Sequence, residues 1–257
     1  MAYLIEKTIK SQKEVKEILS LDKKLEEKVL KDRQEIIDII ESKDNRKILI
    51  LGPCSAWPLK AVEEYALRIK EIEKKYSDKI KFILRVYTQK PRTSLGWTGT
   101  INQVNPFLAS NIEEGILKSR ELMINILKIG LPIADEALFT HNEGYLDDLL
   151  SWIAIGARSS EDQEHRIYAS MIEHPVGLKN PSSGNINIAV NSVLAAQHSH
   201  VFLFSGKQIR TFGNEHAHLV LRGGNGESNI YLENLINAKK LLIKNNIKNP
   251  SIIIDCS

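Results

Sequence analysis

The stretch Phe82-Ile83-Leu84-Arg85-Val86-Tyr87-Thr88-Gln89-Lys90-Pro91-Arg92-Thr93 runs an apolar segment straight into three cations and a threonine. A short apolar run bounded by polar residues reads as a buried strand. The segment after it reads as an anion-binding loop, because Arg offers carboxylate or phosphate a planar fork and Lys adds a point charge. The expected ligand is a small, multiply charged anion.

The arrangement recurs along the chain. Apolar runs at 48–51, 82–84, 131–134, 152–155, 175–178, 219–221 and 252–254 give seven candidate strands. Segments with helical periodicity at 59–76, 112–129, 186–196 and 230–245 lie between them. This is the alternation of a parallel sheet covered on both faces. Asn111 before Glu113-Glu114 and Ser160 before Glu161-Asp162 read as helix N-caps.

Every candidate strand is followed by a residue able to do chemistry: Cys54, Arg85, Asp135 or Glu136, Arg158, Lys179, Arg222 and Asp255. A (β/α)8 barrel gathers all its strand ends at one mouth, whereas an open doubly wound sheet concentrates its site at one switch point. Seven contributions favour an α/β fold of the TIM-barrel type over residues 47–257, preceded by a helical extension over residues 1–46. Residues 201–204 and 208–212, around Gly206, read as an inserted β-hairpin near 200–213.

Composition narrows the partners. At 42% hydrophobic the chain can bury a large core as one domain. No apolar run approaches the ~20 residues that span a bilayer, and the first fifteen residues are too charged for a secretory signal. A cytoplasmic protein without membrane contact is expected, with Cys54 and Cys256 reduced. The net charge of +3, from 35 basic and 32 acidic residues, offers nucleic acid no concentrated field. Lys23-Lys24, Lys28 and Lys31 alternate with Glu26, Glu27 and Glu35, the pattern of a solvated helix face.

Against that small total the predicted mouth holds six cations: Arg85, Lys90, Arg92, Arg158, Lys179 and Arg222. One phosphate is satisfied by about two or three such groups with backbone N–H donors, so six suggest two phosphates, or a phosphate and a carboxylate with a second anion. Gly223-Gly224 permits close backbone approach to such a group. A lysine at a barrel strand end also admits a Schiff-base aldolase using Lys179.

Gly52-Pro53-Cys54-Ser55, Arg85-Val86-Tyr87 with Lys90-Pro91-Arg92-Thr93, Gly96-Trp97, Ile155-Gly156-Ala157-Arg158, Pro175-Val176-Gly177-Leu178-Lys179-Asn180, Leu221-Arg222-Gly223-Gly224 and Asp255-Cys256-Ser257 span nearly the whole chain. In this order they resemble type I 3-deoxy-D-arabino-heptulosonate 7-phosphate (DAHP) synthase. The related octulosonate 8-phosphate synthases share the barrel, but their loop resembles Lys-Ala-Asn-Arg-Ser. Lys-Pro-Arg-Thr points instead to erythrose 4-phosphate as acceptor.

The resemblance implies a transferase that condenses phosphoenolpyruvate with erythrose 4-phosphate, the entry step of the shikimate pathway to aromatic amino acids. It implies that Arg85, Lys90, Arg158, Lys179 and Arg222 hold phosphoenolpyruvate, that Arg92 and Thr93 hold the aldose phosphate, and that Lys90 and Glu136 act in catalysis. It implies a divalent metal (Mn2+, Fe2+, Co2+ or Zn2+) bound through Cys54, and a homo-oligomer. The N-terminal extension and the hairpin resemble regulatory additions through which family members sense Phe or Tyr. The effector pocket departs from the phenylalanine-sensitive pattern at Glu173 and Phe204.

In the family the motif Asp-x-Ser continues with a metal-ligating histidine, a glutamate from the eighth strand and a later aspartate. The sequence stops at Ser257. The expectation is therefore a barrel lacking the eighth strand and last helices, with unpaired edges on the first and seventh strands. Its metal site would be incomplete, since one thiolate does not replace a three- or four-ligand set. The histidines at 165, 198, 200, 216 and 218 read as exposed or hydrogen-bonded rather than ligating. A non-catalytic remnant that binds phosphoenolpyruvate or an aromatic effector is the alternative.

Overall fold

Burial on both faces makes the strands read as unbroken apolar runs. The computed structural model describes residues 2–256; Met1 and Ser257, the last residue of the Asp255-Cys256-Ser257 motif, lie outside the described residues. Its parallel sheet contains β1 (Lys47–Leu51), β2 (Ile80–Arg85), β3 (Ile133–Glu136), β4 (Trp152–Ile155) and β5 (Val176–Lys179). A hairpin of β6 (Val201–Phe204) and β7 (Lys207–Arg210) intervenes before β8 (His218–Leu221) and β9 (Ile252–Ile254). The strand order is β1-β2-β3-β4-β5-β8-β9, each pair parallel, with β6 and β7 forming a separate antiparallel pair. This is a partial TIM-type barrel.

Period-two alternation divides the strands between two cores. Phe82 and Leu84, Ile153 and Ile155, and Leu219 and Leu221 face outward onto helices. Ile83, Trp152, Ala154 and Val220 face the barrel interior. Gly177 leaves room for Trp152 there, since a Cβ at 177 would lie 2.2 Å from the indole.

The outer layer holds α3 (Leu59–Tyr76), α4 (Ile112–Ile129), α5 (Gln163–Ala169), α6 (Ile186–Ala196) and α7 (Leu232–Lys244), preceded by α1 (Gln12–Ile18) and α2 (Lys23–Ile40). Helix α2 sends Ile36 and Ile40 into the interior cluster. Burying two such side chains stabilises by at most about 3–6 kcal/mol. A part-buried ionic cluster joins α2 to β2: Lys81 lies 2.6 Å from Asp32 and 2.9 Å from Glu35, and Arg46 lies 2.9 Å from Glu35. No helix among the described residues is long and apolar enough to cross a membrane.

Several boundaries differ from the sequence reading. The third strand begins at Ile133 rather than 131, because the Leu131 N–H still bonds the helical carbonyl of Ile126. Ser160 is not an N-cap: its hydroxyl bonds the Ala157 carbonyl, and α5 starts after Asp162. Asn111 does cap α4, accepting from Glu114 N–H. The second hairpin strand is Lys207–Arg210 rather than 208–212, set by the turn at Ser205 and Gly206, both at positive φ. The last helix spans Leu232–Lys244 rather than 230–245.

Candidate active site

The carboxyl ends of the parallel strands bring most of the sequence-picked residues together. Arg85 closes β2 and turns back on β1, donating from Nε to the Pro53 carbonyl (3.1 Å) and from Nη2 to the Gly52 carbonyl (2.9 Å). Its guanidinium also lies 5.3 Å from the Tyr87 ring centroid. These contacts spend part of its fork on backbone and hold the remainder in one orientation. Lys90, in the loop after β2, reaches the Cys54 carbonyl (2.7 Å) and Sγ (2.9 Å). That hydrogen bond holds the exposed Cys54 thiol below its ordinary value, against partial desolvation.

Glu136, the last residue of β3, is the acid at the centre. Burial raises its carboxyl above the ordinary value, opposed by the positive charges of Lys179, Lys90, Arg158 and Arg85. These four cations come from three strands or the loops after them: Arg85 and Lys90 from β2, Arg158 from β4 and Lys179 from β5. Gly156 makes the space, since a Cβ there would sit 2.1 Å from Glu136 Oε1. Arg158, after β4, donates from Nη2 to Thr93 Oγ1 (3.1 Å) and so meets the Lys-Pro-Arg-Thr loop. Lys179 closes β5 with its Nζ 2.7 Å from Asp255 and 6.0 Å from the Tyr87 ring centroid.

Two residues are placed differently. Arg92 folds back within its own loop to the Trp97 carbonyl (2.6 Å) and is exposed. Arg222 sits beyond β8, where its N–H donates to Asn180 Oδ1 (2.8 Å). Asn180 is fully buried and also donates to the Gly223 carbonyl, while Asn229 donates to it and accepts from Gly223 N–H. This amide network ties Asn180, the residue after Lys179, to the backbone of Arg222 and Gly223. Asn180 closes the motif that runs from Pro175, but nothing in the local pattern marked Asn229, whose role is a tertiary contact between strand ends.

Among the described residues no group of three or more His, Cys, Asp and Glu side chains is placed to hold a metal ion. Cys54 Sγ meets Lys90 Nζ at 2.9 Å. His165 is held by Asp162 (2.5 Å) and the Leu138 carbonyl, and His198 and His200 bond helical carbonyls. His218 lies in the barrel interior. Its Nε2 accepts from Trp152 Nε1 (3.1 Å), so its Nδ1 donates to the His216 carbonyl.

Away from the mouth, a cavity of about 860 Å³ is lined by Gln12, Lys16, Thr140, Glu143, Phe204 and Ser205, among others. It lies between α1, the segment after β3 and the hairpin turn. Phe204 lines it; Glu173 is exposed near Arg33.

A sequence profile of the DAHP synthetase I family matches residues 12–257. The chain belongs to that family. It is 40% identical over 230 residues to a putative phospho-2-dehydro-3-deoxyheptonate aldolase of Schizosaccharomyces pombe, covering 88% of this chain and 62% of that protein. It is 39% identical to the phenylalanine-inhibited enzyme of Saccharomyces cerevisiae, covering 90% of this chain and 65% of the other. The Tyr-sensitive enzyme of Salmonella typhimurium is 35% identical over 98% of this chain and 72% of its own length. The chain thus spans somewhat under two thirds of the two fungal relatives. The solved phospho-2-dehydro-3-deoxyheptonate aldolase of Francisella tularensis superposes with a TM-score of 0.93 at 36% identity, over 98% of this chain and 75% of that one.

Three buried groups of this chain should shape its stability against pH. Burial lowers His174 to about 3 and His218 to about 4, so both stay neutral when folded and take up a proton on unfolding below about 6.5. Asp135 opposes them, since burial raises it to about 7 and the folded chain keeps a proton that the unfolded chain releases above about 4. Two histidines outweigh one carboxyl, so urea unfolding midpoints are expected to fall as pH drops from about 6.5 to 4. Midpoints that stay flat or rise over that range would contradict the neutral buried imidazoles.

Proposed function

We propose that this chain condenses phosphoenolpyruvate with erythrose 4-phosphate to DAHP and inorganic phosphate, in a cytoplasmic biosynthetic setting. The observation that carries the reading is the convergence of Lys90, Arg85, Arg158 and Lys179 on the buried Glu136. Arg85, Lys90, Arg158, Lys179 and Arg222 would hold the phosphate and carboxylate of phosphoenolpyruvate. Arg92 and Thr93 would hold the phosphate of the aldose, with Arg158 linking both groups through Thr93.

Carbon 3 of phosphoenolpyruvate attacks the aldehyde carbon, whose oxygen takes up a proton. Water adds at C2 and gives up its protons, and the C2–O bond to the phosphate breaks as C2 becomes the ketone and inorganic phosphate leaves with the bridging oxygen. The cations neutralise the phosphate charge as it departs. The raised carboxyl of Glu136 suits it to move a proton at the adding water or at the leaving phosphate. Lys90, hydrogen-bonded beside Cys54, would place an ammonium over the reacting carbons. The resemblance offers Cys54 to a divalent metal, but no group of three or more ligand side chains that would complete such a site stands among the described residues.

The test is phosphate release and phosphoenolpyruvate consumption by the purified chain, with erythrose 4-phosphate and with or without Mn2+. Release that requires both substrates supports the synthase. Heat on titrating phosphoenolpyruvate without turnover favours a second reading, a non-catalytic phosphoenolpyruvate-binding chain. No heat and no release would remove both.

An aromatic amino acid is the proposed effector of the cavity beside α1, given relatives described as phenylalanine-inhibited and Tyr-sensitive. A homo-oligomer is proposed as well, through the exposed Leu203 and Phe212 on and beside the hairpin.

A further inference from the structure

The resemblance gives Asp135 no role, yet this acid is tightly held under the mouth. It is 4% exposed. Its Oδ1 accepts from Thr88 N–H (3.0 Å) and Glu136 N–H (2.7 Å), and its Oδ2 accepts from Thr88 Oγ1 (2.7 Å). One side chain thus fixes the residue two before Lys90 and the backbone of Glu136. The rest of the link is equally tied. Gln89 Oε1 accepts from Phe139 N–H (2.8 Å), and Lys90 N–H donates to the Thr98 carbonyl (2.9 Å).

Burying a carboxylate is costly even with good partners, and a well-packed apolar side chain often replaces such a group without loss of stability. Its desolvation is large enough to raise Asp135 to about 7 despite the three donors. A buried acid kept at that cost, and bonded to the two segments that carry Lys90 and Glu136, acts on their relative placement. Thr88 is the reciprocal half: its N–H and hydroxyl together match both oxygens of the carboxylate.

We propose that Asp135 is a positioning residue, which with Thr88 sets Lys90 and Glu136 at the separation that phosphoenolpyruvate requires. The proposal rests on the reading of the mouth as a phosphoenolpyruvate site. Reactive groups must be held to within a fraction of an ångström, and a supporting shell of buried hydrogen bonds does so.

The experiment is calorimetric titration of phosphoenolpyruvate into the full chain and into Thr88→Val, Thr88→Ser and Asp135→Asn, with melting temperature recorded for each. Thr88→Val is expected to weaken binding by about tenfold, because a slack loop no longer presents Lys90. Thr88→Ser keeps the hydroxyl and should stay within about twofold of the parent. Asp135→Asn keeps an acceptor oxygen for the two backbone N–H groups and turns an amide N–H toward Thr88 Oγ1, which can accept it, so it should fall between Thr88→Ser and Thr88→Val. If the parent binds and Thr88→Val binds equally well, the positioning role is wrong. It is also wrong if Thr88→Ser loses as much as Thr88→Val, since packing and not the hydroxyl would then decide. Should Asp135→Asn fail to fold, the Thr88 pair still decides. A parent that does not bind phosphoenolpyruvate overturns the substrate reading, and this proposal with it.

Discussion

Replacing Lys179 by methionine is expected to raise the dissociation constant for phosphoenolpyruvate by about 10²–10³, the effect of deleting one partner of a buried charge pair. The side chain is only 15% exposed and ends 2.7 Å from Asp255, so its ammonium sits at a fixed point rather than on a mobile stem. Its charge is also the largest of those that oppose the burial of Glu136. Methionine fills the same space without charge, so the variant would lose an anion contact and push the Glu136 carboxyl still higher. Lys179→Arg keeps the charge but not the reach, and should fall between. Calorimetry decides the matter: binding by Lys179→Met within about threefold of the parent would remove Lys179 from the anion site.

The same environment argues against a Schiff-base role. A lysine that condenses with a carbonyl is activated by an apolar pocket or a neighbouring cation. Lys179 instead donates to a carboxylate. Borohydride with pyruvate is therefore expected to leave no adduct on Lys179, and a stable one would restore the aldolase reading.

Arg120→Met is expected to reduce the free energy of unfolding by about 3–5 kcal/mol, the cost of breaking one side of a buried ion pair. Arg120 lies on α4 and is 1% exposed. Its fork pairs with both oxygens of Asp148 (2.8 and 2.7 Å), and it donates to the carbonyls of Leu19 (2.7 Å) and Tyr145 (3.0 Å). One side chain thus joins the link between α1 and α2, the segment after β3, and the outer helical layer. Methionine leaves two carbonyls and a half-buried carboxylate without their donor. Asp148, which Arg120 helps hold below the ordinary carboxylate value despite its burial, would then rise. The check is urea denaturation of parent and variant at neutral pH. A loss below about 1 kcal/mol would mean that water replaces the guanidinium at all three sites.

The mouth was largely legible because its residues are short-range features: a cation directly after an apolar run stays at the strand end whatever the rest of the chain does. Arg85, Lys90, Arg158, Lys179 and Glu136 were picked in this way, and they converge. Arg92 was picked by the same reasoning, but the backbone of its own loop captures it through Trp97. Arg120 carries no such signal, standing as one of several charges within the helical segment 112–129. Its partners lie 101, 25 and 28 residues away in sequence, and no local pattern carries them.

Alternation of apolar runs with helical segments, together with capable residues at each run's end, determined that this chain forms parallel strands and presents one cationic face. Those are consequences of burial on two faces and of chain direction, both written locally. Tertiary structure alone decided which strand face enters the barrel, that α2 closes its interior with Ile36 and Ile40, and that Asp135 and Asn180 clamp neighbouring strand ends. Such contacts depend on distances between segments far apart in the chain. Their free energy appears only when folding removes water from both partners at once.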